Sequence, residues 1–177
     1  MKEELILDKK GIADTISALC DQIIKKNGET LKDLVIIGIR IRGDYIAQRM
    51  VKLIKSMCDI DVPLGMLDIT LYRDDLTTVS TQPIIHSTEI SFDLTEKKVV
   101  LVDDVLYTGR TIRAAMDALV DFGRPKNIQL AVLIDRGHRE LPIQADYTGK
   151  IFETKQKEII GVRLQESDGK DEVVVNS

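Results

Sequence analysis

Apolar positions 12, 16, 19, 20, 23 and 24 fall on one face of a helix, and Asn27-Gly28 supplies its stop. The pattern then changes: LVIIGI at 34–39 is a short β-branched run suited to a strand buried on both faces, and it ends in Arg40-Ile41-Arg42-Gly43. Ile46, Met50, Leu53, Ile54 and Met57 recur at helical spacing until Asp61-Val62-Pro63 breaks the helix. LGMLDITLYR at 64–73 has the mixed alternation of another strand. DDLTTVSTQ at 74–82 is polar and without period, which predicts an exposed loop placed to act as a lid, the turn of a long hairpin returning through PIIHSTEISF.

KKVVLVD at 97–103 is the strongest strand signal of the chain. Ile112, Ala115, Met116, Leu119 and Val120 then mark one face of a helix, stopped by Gly123-Arg124-Pro125, and NIQLAVLID at 127–135 reads as a further buried strand. Strand and helix signals that alternate in this way predict an α/β fold, a doubly wound and mainly parallel sheet flanked by helices. From Arg136 onward only short strand signals remain, at 147–152, 159–164 and 173–175, with no helix signal; they predict a small β hood or edge.

Composition narrows the picture without redirecting it. A chain of 177 residues suits one domain spanning 1–177, and 44% hydrophobic with 31% charged residues is ordinary for a globular protein. The start, MKEELILDKK, lacks the apolar core of a secretory signal and no stretch is long enough to span a membrane, so the expected location is the cytoplasm. Cys20 and Cys58 have neither CxxC spacing nor a nearby histidine pair, so both are expected to pack as reduced apolar residues. A net charge of -4 excludes a surface that grips nucleic acid all over, and 4% aromatics without Trp argue against an aromatic stacking platform. Any RNA contact must use a local basic cluster.

In open α/β sheets ligands bind beyond the carboxyl ends of the strands, where three irregular segments lie: 40–43, 103–111 and 135–139. In the middle one, Thr108-Gly109-Arg110-Thr111 enters a helix, so free N–H groups and hydroxyls can hold a monophosphate at the positive end of the helix dipole. Neither GxxxxGK[ST] nor GxGxxG is present. Asp103 and Asp104 beside such a pocket would repel the anion unless they engage sugar hydroxyls or Mg2+. The plainer alternative is that they cap the helix and solvate a strand end.

The whole string VVLVDDVLYTGRT at 99–111 resembles the phosphoribosyl pyrophosphate (PRPP) signature of type I phosphoribosyltransferases: apolar residues, an acidic pair and a T-G-x-T loop. DITLYRDDL at 68–76, VDDVLYTGRTIRAAMDALVDFGRP at 102–125 and LAVLIDRGHRELPIQADYTGK at 130–150 extend the resemblance. They are similar to the family of bifunctional pyrimidine operon attenuation regulators with uracil phosphoribosyltransferase activity. The likeness runs from about Ile6 to Leu164, and the RGHRELP segment is its most specific part.

The resemblance implies a type I phosphoribosyltransferase fold with a β hood and a flexible loop. Asp103 and Asp104 would hold the ribose, with Mg2+ brought by PRPP nearby. Val105, Leu106, Tyr107, Thr108, Gly109, Arg110 and Thr111 would cradle the 5-phosphate, and Arg40, Ile41, Arg42 and Gly43 would form the pyrophosphate loop, with a non-proline cis peptide at Ile41-Arg42. Relatives often carry Lys and Thr before the Arg-Gly, so Arg40 and Ile41 are modest departures. Tyr72, Arg73 and Asp74 would begin the flexible loop, while Arg136 and the backbone of Ile160 would serve the base. His86 and His138 are not assigned as general bases.

It implies a second function as well: binding a stem-loop of pyrimidine operon mRNA, favoured by UMP or UTP, as a homodimer or higher oligomer. The sequence contributes a small basic cluster of Arg136, His138, Arg139 and Lys150, with Lys25 and Lys26 in the first helix, and Arg139 and Lys150 are the expected RNA contacts. At Gln144 relatives commonly have arginine. Two alternatives stay open at this point: a regulator with negligible turnover, and a transferase for another base without RNA binding.

Overall fold

The structure, a computed structural model of the chain, describes residues 3–74 and 86–177. It runs β1 (Glu3–Leu7), α1 (Lys9–Asn27), β2 (Leu34–Ile39), α2 (Gly43–Cys58), β3 (Leu64–Leu67), β4 (Lys98–Leu106), α3 (Arg110–Leu119), β5 (Asn127–Asp135), β6 (Tyr147–Ile151), β7 (Ile159–Arg163), α4 (Gln165–Asp168) and β8 (Glu172–Asn176). The main sheet has the order β3-β2-β4-β5-β6, and every neighbouring pair is parallel. The order reverses at β2, so the mouth of the sheet lies between β2 and β4.

Period-two alternation sorts the strand residues onto two cores. Leu34, Ile36, Val100, Val102, Ala131 and Leu133 pack with α1 and α2, while Val35, Ile37, Ile39, Val99, Leu101 and Val132 pack with α3. A sheet covered on both sides cannot leave alternate positions polar, which is why these segments read as continuous apolar runs. Asp8 caps α1 by accepting the Gly11 N–H at 2.7 Å, and the N–H of Gly28 closes the helix on Ile24 O. Cys20 lies in the core of α1, its thiol pushed up to about 12 by burial, and Cys58 is half-buried; both are free.

Several predicted boundaries move, each for a visible reason. The strand expected over 64–73 stops at Leu67, because Asp68 accepts hydrogen bonds from the Thr70 N–H (2.8 Å) and hydroxyl (2.5 Å) and turns the chain into a 3-10 helix, Thr70–Tyr72. Of the expected loop and hairpin return, residues 75–85 lie outside the described residues; the remainder touches β3 through one antiparallel bridge, Met66 to Glu89. The segment at 147–152, expected in the hood, instead pairs with β5 as the fifth strand of the main sheet.

The hood itself is β1-β8-β7, antiparallel, so both ends of the chain build it. The sequence reading did not assign β1, and it placed no helix after Arg136, where the single turn α4 forms between Leu164 and Gly169. Ile160, Val162, Leu164, Val173 and Val175 join the core that α1 and α2 share. Arg49 of α2 clamps the hood from outside, bonding Glu166 (2.6 Å) and Asp171 (2.7 Å).

A buried polar triad fixes α1 on the sheet. Asn27 donates to Tyr147 Oη (3.0 Å) and to Gln129 Oε1 (3.2 Å), and the Tyr147 hydroxyl donates to the same Gln129 oxygen (2.7 Å). Tyr147→Phe removes one acceptor and one donor from a buried site, so it is expected to cost about 1–2 kcal/mol. Urea unfolding of the two proteins measures this; equal midpoints would show that the triad contributes nothing.

Candidate active site at the mouth of the sheet

The ladder between β2 and β4 ends where Gly38 faces Val102, whereas β4 continues beside β5 as far as Leu106 opposite Asp135. Asp103 and Asp104 therefore belong to the strand itself, three residues beyond the end expected at 103, and β4 has no partner there on its β2 side. The 40–43 loop fills that opening. A Cβ at Gly43 would lie 2.5 Å from Val102 O and 3.1 Å from the Asp103 Cα, so only glycine permits the approach.

Asp44, itself buried, fixes the turn by accepting the N–H groups of Arg42 (3.0 Å) and Tyr45 (2.9 Å). The cis peptide is Arg40-Ile41, one bond earlier than expected; Arg42 makes the turn into α2 through its own φ of 82°. A cleft of about 450 Å³ opens here, lined by Arg40, Ile41, Arg42, Asp103, Asp104 and Thr111 together with Asp68 and Arg73. Expected pyrophosphate-loop, ribose and phosphate-loop residues thus share one cavity.

Asp103 is only 5% exposed and its carboxylate accepts the Asp104 N–H at 2.9 Å. The Asp104 carboxylate accepts the Val105 N–H at 2.8 Å. Burial raises the pKa of both, and the Asp104 charge raises Asp103 further, while the Arg42 guanidinium draws Asp104 back down. Arg42 also reaches Asp168 of the hood (3.1 Å), and Arg40 pairs with Glu89 (2.8 Å). The Nε atoms of both arginines are buried without a hydrogen-bond partner.

Gly109, with φ 92°, turns the chain from β4 into α3, and Thr108 Oγ1 accepts the Arg110 N–H at 3.3 Å. The side chain of Leu106 is in the core, so this residue offers only backbone to a ligand. The Arg110 side chain turns outward to Asp74 (2.6 Å) and Glu140 (2.8 Å). Asp74 is thereby tied to the start of α3, Tyr72 donates its hydroxyl to Asp121, and Arg113 reaches Tyr72 O at 3.4 Å.

Arg136 is buried, stacked 4.1 Å over the Tyr107 ring and donating to Thr154 Oγ1 at 3.0 Å. Tyr107 also meets His138 edge-on, at 6.1 Å between ring centroids. Ile160 packs in the core and is not among the cleft residues. Arg139 sends its guanidinium inward to backbone carbonyls and Asp135, and Lys150 on β6 bonds Ile6 O at 3.4 Å. Lys26 is paired with Asp146 at 2.8 Å.

Asp44, Asp68 and Arg113 were missed by the sequence reading. Only Asp68 left a signal there, in the Asp-x-Thr spacing of a side-chain turn. Despite its burial, bonds from Thr70 and the His86 N–H hold the Asp68 carboxyl below the usual range.

The model of the phosphoribosyl transferase domain family matches residues 3–167. The chain is 57% identical over 170 residues to the bifunctional protein PyrR of Pelotomaculum thermopropionicum, covering 96% of this chain and 93% of that one. It is 53% identical over 166 residues to the bifunctional protein PyrR of Deinococcus radiodurans, covering 94% and 90%. Among solved structures, a Trypanosoma cruzi hypoxanthine phosphoribosyl transferase superposes with a TM-score of 0.75 at 17% identity, over 98% of this chain and 91% of that one; the likeness is one of fold.

The raised acidic pair has a measurable consequence. In the unfolded chain an Asp titrates near 3.9, so above that value the unfolded state ionises both groups freely while burial penalises their charged forms in the folded state alone. That cost fades as pH falls through the raised folded values and is gone below the unfolded value. Asp104→Asn removes one charge and relieves Asp103, so without ligand the unfolding midpoint is expected to rise by about 2–4 °C at pH 7.5, with the gain shrinking toward pH 4. A midpoint at or below wild type at pH 7.5 would contradict the assignment.

Proposed function

The chain belongs to the phosphoribosyl transferase family, and on that premise we propose that it joins the phosphoribosyl group of PRPP to uracil, giving UMP and pyrophosphate. We propose also that it uses the same site to sense uridine nucleotides while regulating pyrimidine operon transcription. The observation that carries the first reading is the meeting of an acidic pair, a glycine-turned helix entrance and an arginine-glycine loop in one cleft. Near-full-length similarity to bifunctional relatives supports the second.

In this reading Asp103 and Asp104 accept hydrogen bonds from the ribose hydroxyls, which relieves two carboxylates that burial disfavours. The N–H groups and hydroxyls of 105–111 take the 5-phosphate. Arg40 and Arg42, with unpaired Nε atoms, face the pyrophosphate and stabilise the charge that develops on it as it leaves C1. Uracil N1 attacks C1 from the opposite side through a transition state with oxocarbenium character, as the C1–O bond to pyrophosphate breaks and the N1 proton passes to water or to the departing pyrophosphate. The loops hold the reactants in line, and no covalent nucleophile is required. Arg73, next to Tyr72 and Asp74, lines the cleft, while the Tyr107–Arg136 stack and the backbone near Ile160 serve the base.

The donor set fits Mg2+ that arrives with its substrate. Asp103 and Asp104, both lining the cleft, would offer such an ion hard oxygen ligands beside the oxygens that PRPP brings. Bound in that way, Mg2+ adds charge neutralisation at the pyrophosphate.

For regulation, we propose that a stem-loop of pyrimidine operon mRNA binds a basic surface that includes Lys150, doubled in a homodimer and favoured by UMP or UTP. No helix among the described residues is long and apolar enough to cross a membrane, and a transcript-binding regulator works in the cytoplasm.

Two assays test the pair of functions. With PRPP and Mg2+, uracil is expected to yield UMP while other bases do not, and Asp104→Asn is expected to lower turnover at least about a hundredfold. Full activity in that variant would sink the ribose assignment, and tight UMP binding with no turnover in wild type would mark a regulator that senses without catalysing. In filter titrations at several salt concentrations, a pyrimidine leader stem-loop should bind more tightly than a scrambled hairpin, and UMP should widen the difference. Equal affinities for the two RNAs would end the regulatory reading.

A further inference from the structure

A loop that holds phosphate with its N–H groups must turn its carbonyl oxygens away, and those oxygens need donors of their own. In the 105–111 loop the carbonyls of three consecutive residues turn to one neighbouring segment. Leu106 O accepts the Arg136 N–H (3.1 Å), Tyr107 O accepts Arg139 Nη1 (2.8 Å), and Thr108 O accepts the N–H groups of Glu140 (3.0 Å) and Leu141 (3.1 Å). The same Arg139 Nη1 lies 3.5 Å from Leu106 O and 3.2 Å from Gly137 O, while its Nε donates to Ile143 O at 3.0 Å.

Arg139 is itself held in place. The Asp135 carboxylate at the end of β5 accepts from Nη2, and Gly137 and His138, with φ of 76° and 58°, fold the chain back so that the side chain reaches the loop. Its side chain is 23% exposed, and its donors are spent on main-chain oxygens and Asp135. One guanidinium therefore ties the ends of β4 and β5 together directly behind the turn at Gly109.

Resting on the functional reading above, we propose that Arg139 is a positioning residue for the 5-phosphate. By fixing the carbonyls of Leu106 and Tyr107 it aims the following N–H groups into the cleft, and it acts on RNA through the occupancy of the nucleotide site, not as a phosphate-backbone contact. The 5-phosphate is remote from C1, so its binding is felt equally in the ground state and the transition state. Loss of the brace should raise KM for PRPP with little change in kcat.

The test compares UMP with uridine, which differ only in the phosphate, by calorimetry on wild type, Arg139→Gln and Arg139→Lys. Wild type should prefer UMP strongly. Arg139→Gln, which cannot span the carbonyls, should bind UMP roughly tenfold more weakly with uridine unchanged, and KM for PRPP should rise by a similar factor. Arg139→Lys, retaining the charge and a single donor point, should fall between and keeps the test usable if the Gln variant does not fold.

An unaltered UMP preference in the variants overturns the proposal, and more so if the salt dependence of RNA binding becomes shallower by about one ion, the mark of a lost phosphate contact. Equal loss of UMP and uridine also overturns it, since that means general collapse of the site. A wild type without preference for UMP would instead sink the functional reading of the loop, and this inference with it.

Discussion

The mouth of the sheet depends on one close approach between two stretches of backbone. Gly43 rests against Val102 O and the Asp103 Cα, at the place where the β2–β4 ladder has just ended and β4 continues alone beside β5. Any side chain at 43 would push the arginine loop off the acidic pair. With hydrogen there, α2 starts beside β4, and the guanidinium of Arg42 comes near enough to Asp104 to lower its pKa against the effect of burial. The distance between positive loop and negative strand end is thus set by sterics, and the electrostatics follow from it.

Charge at this site is balanced from outside the cleft as well. Arg42 reaches across to Asp168 in α4, whose carboxyl, burial notwithstanding, is held down to about 2 by bonds from Ser167, Leu164 and Arg42. Arg49, about two turns further along α2, binds Glu166 and Asp171. The hood therefore gives α2 a line of anionic partners, while Asp103 and Asp104 remain without a cation of their own among the described residues beyond the influence of Arg42. A carboxylate pair kept in that condition gains most from a ligand that brings hydroxyl donors, which is what a ribose offers.

The two-sided core was legible because a sheet covered on both faces demands unbroken apolar strands, and the 99–111 string was legible because the strand, acidic pair and phosphate turn are contiguous. What failed was whatever depends on a distant partner. EELIL at the start of the chain is short and half charged, and becomes β1 only by pairing with β8, whose residues lie at the other end of the sequence. Tyr147–Ile151 looked like part of a hood because its neighbours in sequence are hood strands, yet β5 offers it the free edge of the main sheet. The strand was expected to end at Asp103, because an acidic pair seldom continues a buried strand, but the register with β5 carries it on through Leu106.

Basic residues show the same limit more sharply, since a sequence counts charges and cannot say where the donors point. Arg136, His138 and Arg139 form with Lys150 a small basic cluster in the sequence, and a nucleic-acid surface was the natural inference. In the fold Arg136 stacks on Tyr107 and bonds Thr154, and His138 Nε2 pairs with Thr154 O. Arg139 serves the carbonyls behind the phosphate turn. Two arginines and a histidine set to build one loop leave few donors free to meet RNA phosphates, so an RNA partner of a single subunit would find a thin electrostatic footprint. If the proposed RNA binding holds, its affinity would rest on repetition of the surface across subunits, or on shape read along the stem, rather than on the density of charge on one chain.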